Sequence, residues 1–380
     1  MPFDVHVLGT SSARPTSTRS VSGSIVKCTD GTIVVDAGEG FQERYAAQRK
    51  HLKLKAKGVT LKPSDIDVLA FTHGHLDHTW GALPWLQTMD LEHRQQPLLI
   101  LGPTSSDVID ALVEGTPLPD DTPPAELARQ WRAWFELGGQ YLAFPVRWVL
   151  GDPVSDRWVE LDPTTFNGVP LDGMPQPMGW KKCSLRAVPT THSVPSCAWM
   201  LGQGSVKGAF DRERAKALNL STDERTQLAT GHDVQLADGM TLTATTFRLP
   251  DYAATSVMIS GDTASMARGF TPELAPTLLV HEATFLEEQR DKAEEHLHST
   301  AKGAVRSAQH LQAEVLALTH YSSRIKSSRH ALDEALQEAD GLPVVALGDG
   351  DRIVVEDGGT VTHFIRNEDG WQEASIAPNR

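Results

Sequence analysis

Short apolar runs recur along the chain, and each stops at a polar or turn-forming residue. Residues 5–10, 24–28 and 32–36 read as strands, the last two joined by the Asp30-Gly31 turn. Further strands are predicted at 66–71, 97–101, 141–150, 157–161, 183–189, 257–260, 277–282, 314–319, 343–347 and 352–356, with a turn at Asp238-Gly239 between two more. Helical spacing falls at 41–54, 80–90, 105–113, 125–137, 211–219, 221–229, 300–311 and 328–339. Such interleaving predicts an α/β fold. Polar side chains able to bind a metal follow the apolar runs at 73, 192, 262, 282 and 320. That rhythm places one site along a single edge of stacked sheets.

The stretch 115–182 has a different texture, rich in Pro, Gly and Asp and carrying Trp131, Trp134, Trp148, Trp158 and Trp180. Linkers lack so many large aromatics. We read 1–380 as a single domain with 115–182 as an inserted subdomain or cover, its aromatics forming either a small core or a substrate-facing wall.

The sharpest chemical signal is Thr72-His73-Gly74-His75-Leu76-Asp77-His78, directly after the apolar run 66–71. Three imidazoles and a carboxylate at a strand end outline a metal site, and one ion cannot use every donor offered once partners from elsewhere join. His192 completes a set with His73 and His75, and His320 joins Asp77 and His78. Asp262 bridges, because each carboxylate oxygen can serve one ion. A pair of divalent ions activates water near neutral pH and stabilises a developing oxyanion. Glu282 and His298 are the candidates for proton transfer to a leaving oxygen, with Asp77 counted among the catalytic residues as well as the ligands. Histidine and carboxylate donors suit two zinc ions, with manganese or iron as alternatives.

Composition narrows the partners. Acidic residues outnumber basic ones 49 to 35, for a net charge of -14, which argues against extensive nonspecific contact with nucleic acid. Cys28, Cys183 and Cys197 have no close spacing and suggest neither a disulfide scaffold nor a thiolate metal site. No secretion signal and no long apolar run is visible, so a cytoplasmic location without membrane contact is expected.

These motifs resemble the metallo-β-lactamase superfamily and, within it, the tRNA 3′-processing endonuclease group, ribonuclease Z. The likeness covers roughly 5–102 and 183–356. It is carried by Gly9-Thr10-Ser11 through Pro15, Arg19 and Ser20; by Asp36-Ala37-Gly38-Glu39-Gly40 with Gln42; and by the histidine loop. Further matches are His192-Ser193-Val194-Pro195-Ser196, Asp262 in Ser-Gly-Asp-Thr, His281-Glu282-Ala283-Thr284, His298-Ser299-Thr300 and Leu318 to Arg324. The resemblance implies an αββα four-layer sandwich, two zinc ions, a homodimer, and cleavage of precursor tRNA just 3′ of the discriminator. Arg19, Arg324 and Ser196 are its candidate substrate contacts. Leu76 stands where the family more often has glycine, placing extra bulk in the pocket. The family's Lys-bearing gripping segment is replaced by Ser221 to Thr226, which carries Asp223 and Glu224. The alternatives are a small-molecule hydrolase acting on a cyclic nucleotide, lactone or other ester, and a non-catalytic nucleic-acid-binding or structural protein.

Overall fold

A computed structural model describes residues 2–56, 58–266, 270–272, 274–374 and 376. The first half opens with an antiparallel meander of β1 (Phe3–Gly9), β2 (Gly23–Cys28) and β3 (Thr32–Ala37). Helix α1 (Phe41–Lys55) then returns the chain to β4 (Val68–Ala70), which pairs parallel to β3. The short helix α2 (Leu76–Thr79), α3 (Ala82–Leu91), β5 (Leu98–Pro103), α4 (Ser106–Glu114) and α5 (Leu127–Glu136) follow. Strands β6 (Val146–Asp152), β7 (Arg157–Leu161) and β8 (Gly168–Leu171) continue the same sheet beyond β5.

The second half starts with the antiparallel pair β9 (Cys183–Pro189) and β10 (Cys197–Gln203). A small module holds α6 (Arg212–Ala217), α7 (Thr222–Thr230), β11 (Val234–Gln235) and β12 (Thr241–Leu242) around its own core of Ala215, Leu228 and Phe247. Strands β13 (Thr255–Ile259), β14 (Leu278–Glu282), β15 (Val315–Thr319) and β16 (Val344–Ala346) run parallel. Helices α8 (Arg290–Glu295), α9 (Ala301–His310) and α10 (Ser328–Leu336) lie between them in sequence. The chain returns to the first sheet with β17 (Arg352–Val355), β18 (Val361–Asn367) and β19 (Gly370–Ala374).

The result is an eleven-stranded sheet facing a six-stranded one. Their inner faces meet in a core that includes Val35, Val68, Leu101, Trp199, Val257 and Leu278. Helices α1 and α3 to α5 cover the outside of the first sheet, and α9 and α10 cover the second. Strands buried on both faces explain the unbroken apolar runs Val68-Leu69-Ala70 and Leu278-Leu279-Val280. No helix among the described residues is long and apolar enough to cross a membrane.

The tryptophans of 115–182 have their place in this frame. Trp131, Trp134 and Trp148 are buried between α5 and the first sheet, with Trp131 and Trp148 in edge-on contact at 5.4 Å, and Trp158 sits between the sheets. Strand β6 begins later than the predicted 141, because Gly139–Tyr141 forms a 3-10 turn. Strands β8, β10, β18 and β19 are additions to the sequence reading. The last two mix polar and apolar residues without regular alternation over a partly exposed surface, a weak signal in a single sequence.

Candidate metal centre

Parallel strands present their carboxyl ends on a common edge, where open α/β sheets bind ligands. His73 follows β4, Asp262 follows β13, Glu282 ends β14 and His320 follows β15. Asp77 and His78 ride on the turn of α2, and His192 lies on the β9–β10 connection. Folding thus collects residues from distant parts of the chain into two adjoining clusters, His73/His75/His192/Asp262 and Asp77/His78/Asp262/His320. Within each, ligand atoms lie no more than 4.8 Å apart.

In the first cluster, His75 Nδ1 is 3.1 Å from both His73 Nε2 and His192 Nε2. Asp262 Oδ2 is 3.8 Å from His73 Nε2. In the second, His78 Nε2 and His320 Nε2 are 3.2 Å apart and lie 3.3 and 3.2 Å from Asp262 Oδ1. Asp77 Oδ2 is 3.5 Å from His320 Nε2 and accepts a 2.7 Å bond from Ala13 N–H, so the opening loop holds it in place. Asp262 therefore turns one oxygen to each cluster.

The donor chemistry fits metal ions. Asp262 Oδ1 is buried beside two imidazoles yet has no hydrogen-bond partner, an unusual state that calls for a cause. The far ring nitrogens, by contrast, are engaged. His78 Nδ1–H donates to Asp36 Oδ2 at 2.7 Å, and His192 Nδ1–H donates to Leu297 O at 3.1 Å. The Thr284 hydroxyl spends its proton on Glu282 Oε2 at 2.6 Å and so accepts from His320 Nδ1–H at 3.0 Å. Thr72 donates to Asp36 Oδ2 at 2.8 Å and accepts from His73 Nδ1–H at 3.1 Å. With a proton fixed on Nδ1, Nε2 is the nitrogen aimed inward, the one that would ligate a metal. Asp36 and His320 both adopt left-handed backbone, with φ of 60° and 58°, a strained conformation common at functional sites.

Charge sorts the protonation states in the metal-free protein. Burial, with the neighbouring imidazoles, holds His73 well below the ordinary histidine range and brings His75 down to about 4. Burial also lowers His192. His78 goes the other way: burial opposes its charge, but Asp262, Asp36 and Asp77 outweigh that and raise it. Asp262 is likewise held well below the carboxylate range, by His320, His78 and His298 against the effect of burial.

His298 and Glu282 adjoin the second cluster, with His298 Nδ1 2.8 Å from Glu282 Oε1. Burial opposes the charge on His298, but Glu282 and Asp262 raise it to about 9, giving a charged donor at neutral pH. Strand alternation points the adjacent His281 the opposite way, into the outer core against Phe270.

A cavity of about 550 Å3 opens in front of this centre, lined by Arg14, His75, His192, Phe285, His298 and Arg324 among others. No carboxylate is among its lining residues in the described structure. Of the three expected substrate contacts, Arg324 lines it. Arg19 instead donates to Ile325 O at 2.7 Å and Ser322 O at 3.3 Å, tying two loops together. Ser196 is buried with its hydroxyl 2.8 Å from that of Thr190. The five tryptophans of 115–182 stay out of the cavity lining, and so does Leu76. Leu76 is 53% exposed, so its bulk points outward instead of filling the pocket. Sequence reasoning assigned no role to Asp36, Thr72 and Thr284. Their only signal was position, since Thr72 precedes the first ligand and Asp36 and Thr284 lie in short motifs.

A profile of the metallo-beta-lactamase superfamily matches residues 18–94. The chain is 30% identical to ribonuclease Z of Natronomonas pharaonis over 362 residues, 95% of this chain and 98% of that protein. It is 28% identical to ribonuclease Z of Myxococcus xanthus over 345 residues, 90% of this chain and 94% of that one. Among solved structures, human tRNase Z, short form, superposes with a TM-score of 0.53 at 22% identity, covering 93% of this chain and 99% of that chain. The metallo-beta-lactamase fold protein YhfI from Bacillus subtilis gives 0.54 at 15% identity with the same coverage. These two structural likenesses concern the fold alone.

Proposed function

The chain belongs to the metallo-β-lactamase superfamily, in its ribonuclease Z-like branch, and on that premise we propose that it is a two-zinc phosphodiester hydrolase that removes 3′ trailers from precursor tRNA. The observation that carries this reading is the cavity in front of the metal centre. In a chain of net charge -14, its lining holds Arg14, Arg324 and His298 and, among the described residues, no carboxylate. A polyanion is drawn to such a site although the protein as a whole repels it.

Two divalent ions at the clusters would supply an activated water and neutralise charge building on the phosphoryl oxygens. The chain's own residues do the rest. Asp262 sets the spacing of the two clusters. Arg14 and Arg324 hold flanking phosphates and fix the strand's register without reading its sequence. His298, kept protonated beside Glu282, delivers its proton to the departing 3′-oxygen. Glu282 is anchored for this by Thr263 N–H at 3.0 Å and Thr284 N–H at 3.1 Å.

A smaller phosphodiester is the second reading, favoured by the acids at the start of α7, where Glu224 and Ser221 form a reciprocal cap. A surface that grips RNA would not ordinarily present Asp223 and Glu224. The test is hydrolysis by zinc-loaded protein of a tRNA carrying a 3′ trailer, beside bis(p-nitrophenyl) phosphate and a lactone panel. Release of the intact trailer is expected. Turnover of the small diester or a lactone with the trailer untouched would overturn the tRNA assignment.

A further inference from the structure

Gly74 is the sole residue between the first two histidines, and its peptide plane decides where the His75 ring goes. That plane is held from outside the loop. Gln130 of α5 donates its side-chain amide to the Gly74 carbonyl. Its carbonyl Oε1 accepts from Thr79 Oγ1 at 2.8 Å, on the helical turn that carries Asp77 and His78. Ala125, just before α5, presses on the same point: a Cβ on Gly74 would sit 1.8 Å from the Ala125 carbonyl oxygen. One carboxamide therefore links the backbone of the first cluster to the helix of the second.

Helix α5 is well placed to act as the fixed reference. Glu126, 1% exposed, caps its start and accepts from Thr104 Oγ1 at 2.8 Å, just past β5. Trp131 and Trp134 anchor its inner face in the core. Gln130 lies between these anchors and turns toward the loop.

We propose that Gln130 is a positioning residue of the metal centre, fixing the Gly74–His75 peptide so that the His75 ring meets those of His73 and His192. The proposal rests on the two-metal reading above. It also accounts for the tryptophan-rich stretch, whose aromatics root a helix with a polar edge that braces the metal loop.

The test is Gln130→Met in the full chain, with Thr79→Val and Thr79→Ser as companions. Zinc affinity is read by chelator competition, ligand geometry by the visible absorption of the cobalt-loaded protein, and fold by the melting temperature of metal-free protein. In Gln130→Met, affinity for one of the two ions falls by about 10–100-fold, the range seen when outer partners of metal ligands are lost. The cobalt spectrum changes, and the metal-free melting temperature stays near wild type. Thr79→Val gives a smaller loss in the same ion, which Thr79→Ser restores; these two carry the test if Gln130→Met does not fold. Two ions bound as tightly as in wild type with an unchanged cobalt spectrum would overturn the proposal. So would equal weakening of both ions together with a lower metal-free melting temperature, which would mark Gln130 as packing only. A wild-type chain that takes up fewer than two ions defeats the metal-centre reading itself, whatever the variants do.

Discussion

Asp351 and Asp262 are both buried, 4% and 3% exposed, and their surroundings differ in kind. Asp351, beside β17, accepts from Gly348 N–H at 2.8 Å, from His363 Nε2 at 3.0 Å and from Arg366 N–H at 3.0 Å, so both its oxygens are satisfied. Next to it Arg352 grips Asp4 with two bonds of 3.2 and 2.7 Å. Asp262 Oδ1 lies between two imidazoles without a hydrogen bond. The first region answers every carboxylate from within the protein and so serves the fold. The second gathers lone pairs around a shared carboxylate, an arrangement that a cation completes.

The strongest way to break this contrast is Asp262→Ala. Hydrolysis should fall by at least about a thousandfold, several kcal/mol of barrier, with loss of two-ion binding. The metal-free melting temperature should fall by less than in Asp4→Asn, because the lost attraction for His78, His298 and His320 is offset by relief of the cost of burying the Asp262 charge. A large drop in that temperature would erase the distinction between the two regions. His298→Ala should slow turnover by about 10²–10⁴-fold, the usual contribution of a general acid, with both ions retained by elemental analysis. Loss of an ion would recast His298 as a ligand.

Asp4→Asn should cost about 3–5 kcal/mol in denaturant unfolding, because it strands a buried guanidinium, while metal uptake stays as in wild type. This pair also has a pH signature. Burial disfavours the Asp4 carboxylate, but His6 and Arg352 more than compensate and hold it below the ordinary range. A carboxylate depressed in the folded state stabilises above its unfolded value, roughly pH 4. Its contribution fades as pH falls through the lower folded value. Wild type should therefore lose stability on acidification more steeply than Asp4→Asn; parallel acid curves would remove Asp4 from the account. The smallest effect belongs to Arg324→Ala. It should raise KM for an RNA substrate about tenfold, close to 1.4 kcal/mol, and flatten the salt dependence of binding while sparing metal content.

Much of this was legible in the sequence, for identifiable reasons. Asp262 and His320 follow apolar parallel strands, which leave unmistakable runs, and the histidine loop, itself after β4, is dense enough to mark itself. Strand ends then place His192, Asp262 and His320 together by topology. What the sequence hid was relational. Asp36, Thr72 and Thr284 orient imidazoles through single hydrogen bonds that no spacing encodes. Arg19 was a candidate substrate contact through the family resemblance of its loop, and no motif foretells its bonds to the backbone carbonyls of residues 322 and 325. The tryptophans of 115–182 were ambiguous because aromatics serve cores and binding walls alike. Only the packing separates them: Trp131, Trp134 and Trp148 enter the core outside the first sheet and Trp158 the core between the sheets.

The span of the ligands along the chain has a consequence for biosynthesis. His78 and His320 meet across 242 positions, and β1 completes its pairing only when β17 arrives. Contacts between residues so far apart in sequence are slow to form and come late. A chain still emerging from the ribosome holds the histidine loop long before it holds its partners. The second cluster is thus complete only once His320 and the strands that hold it have been made, and fragments cut short before residue 320 lack one of its four members.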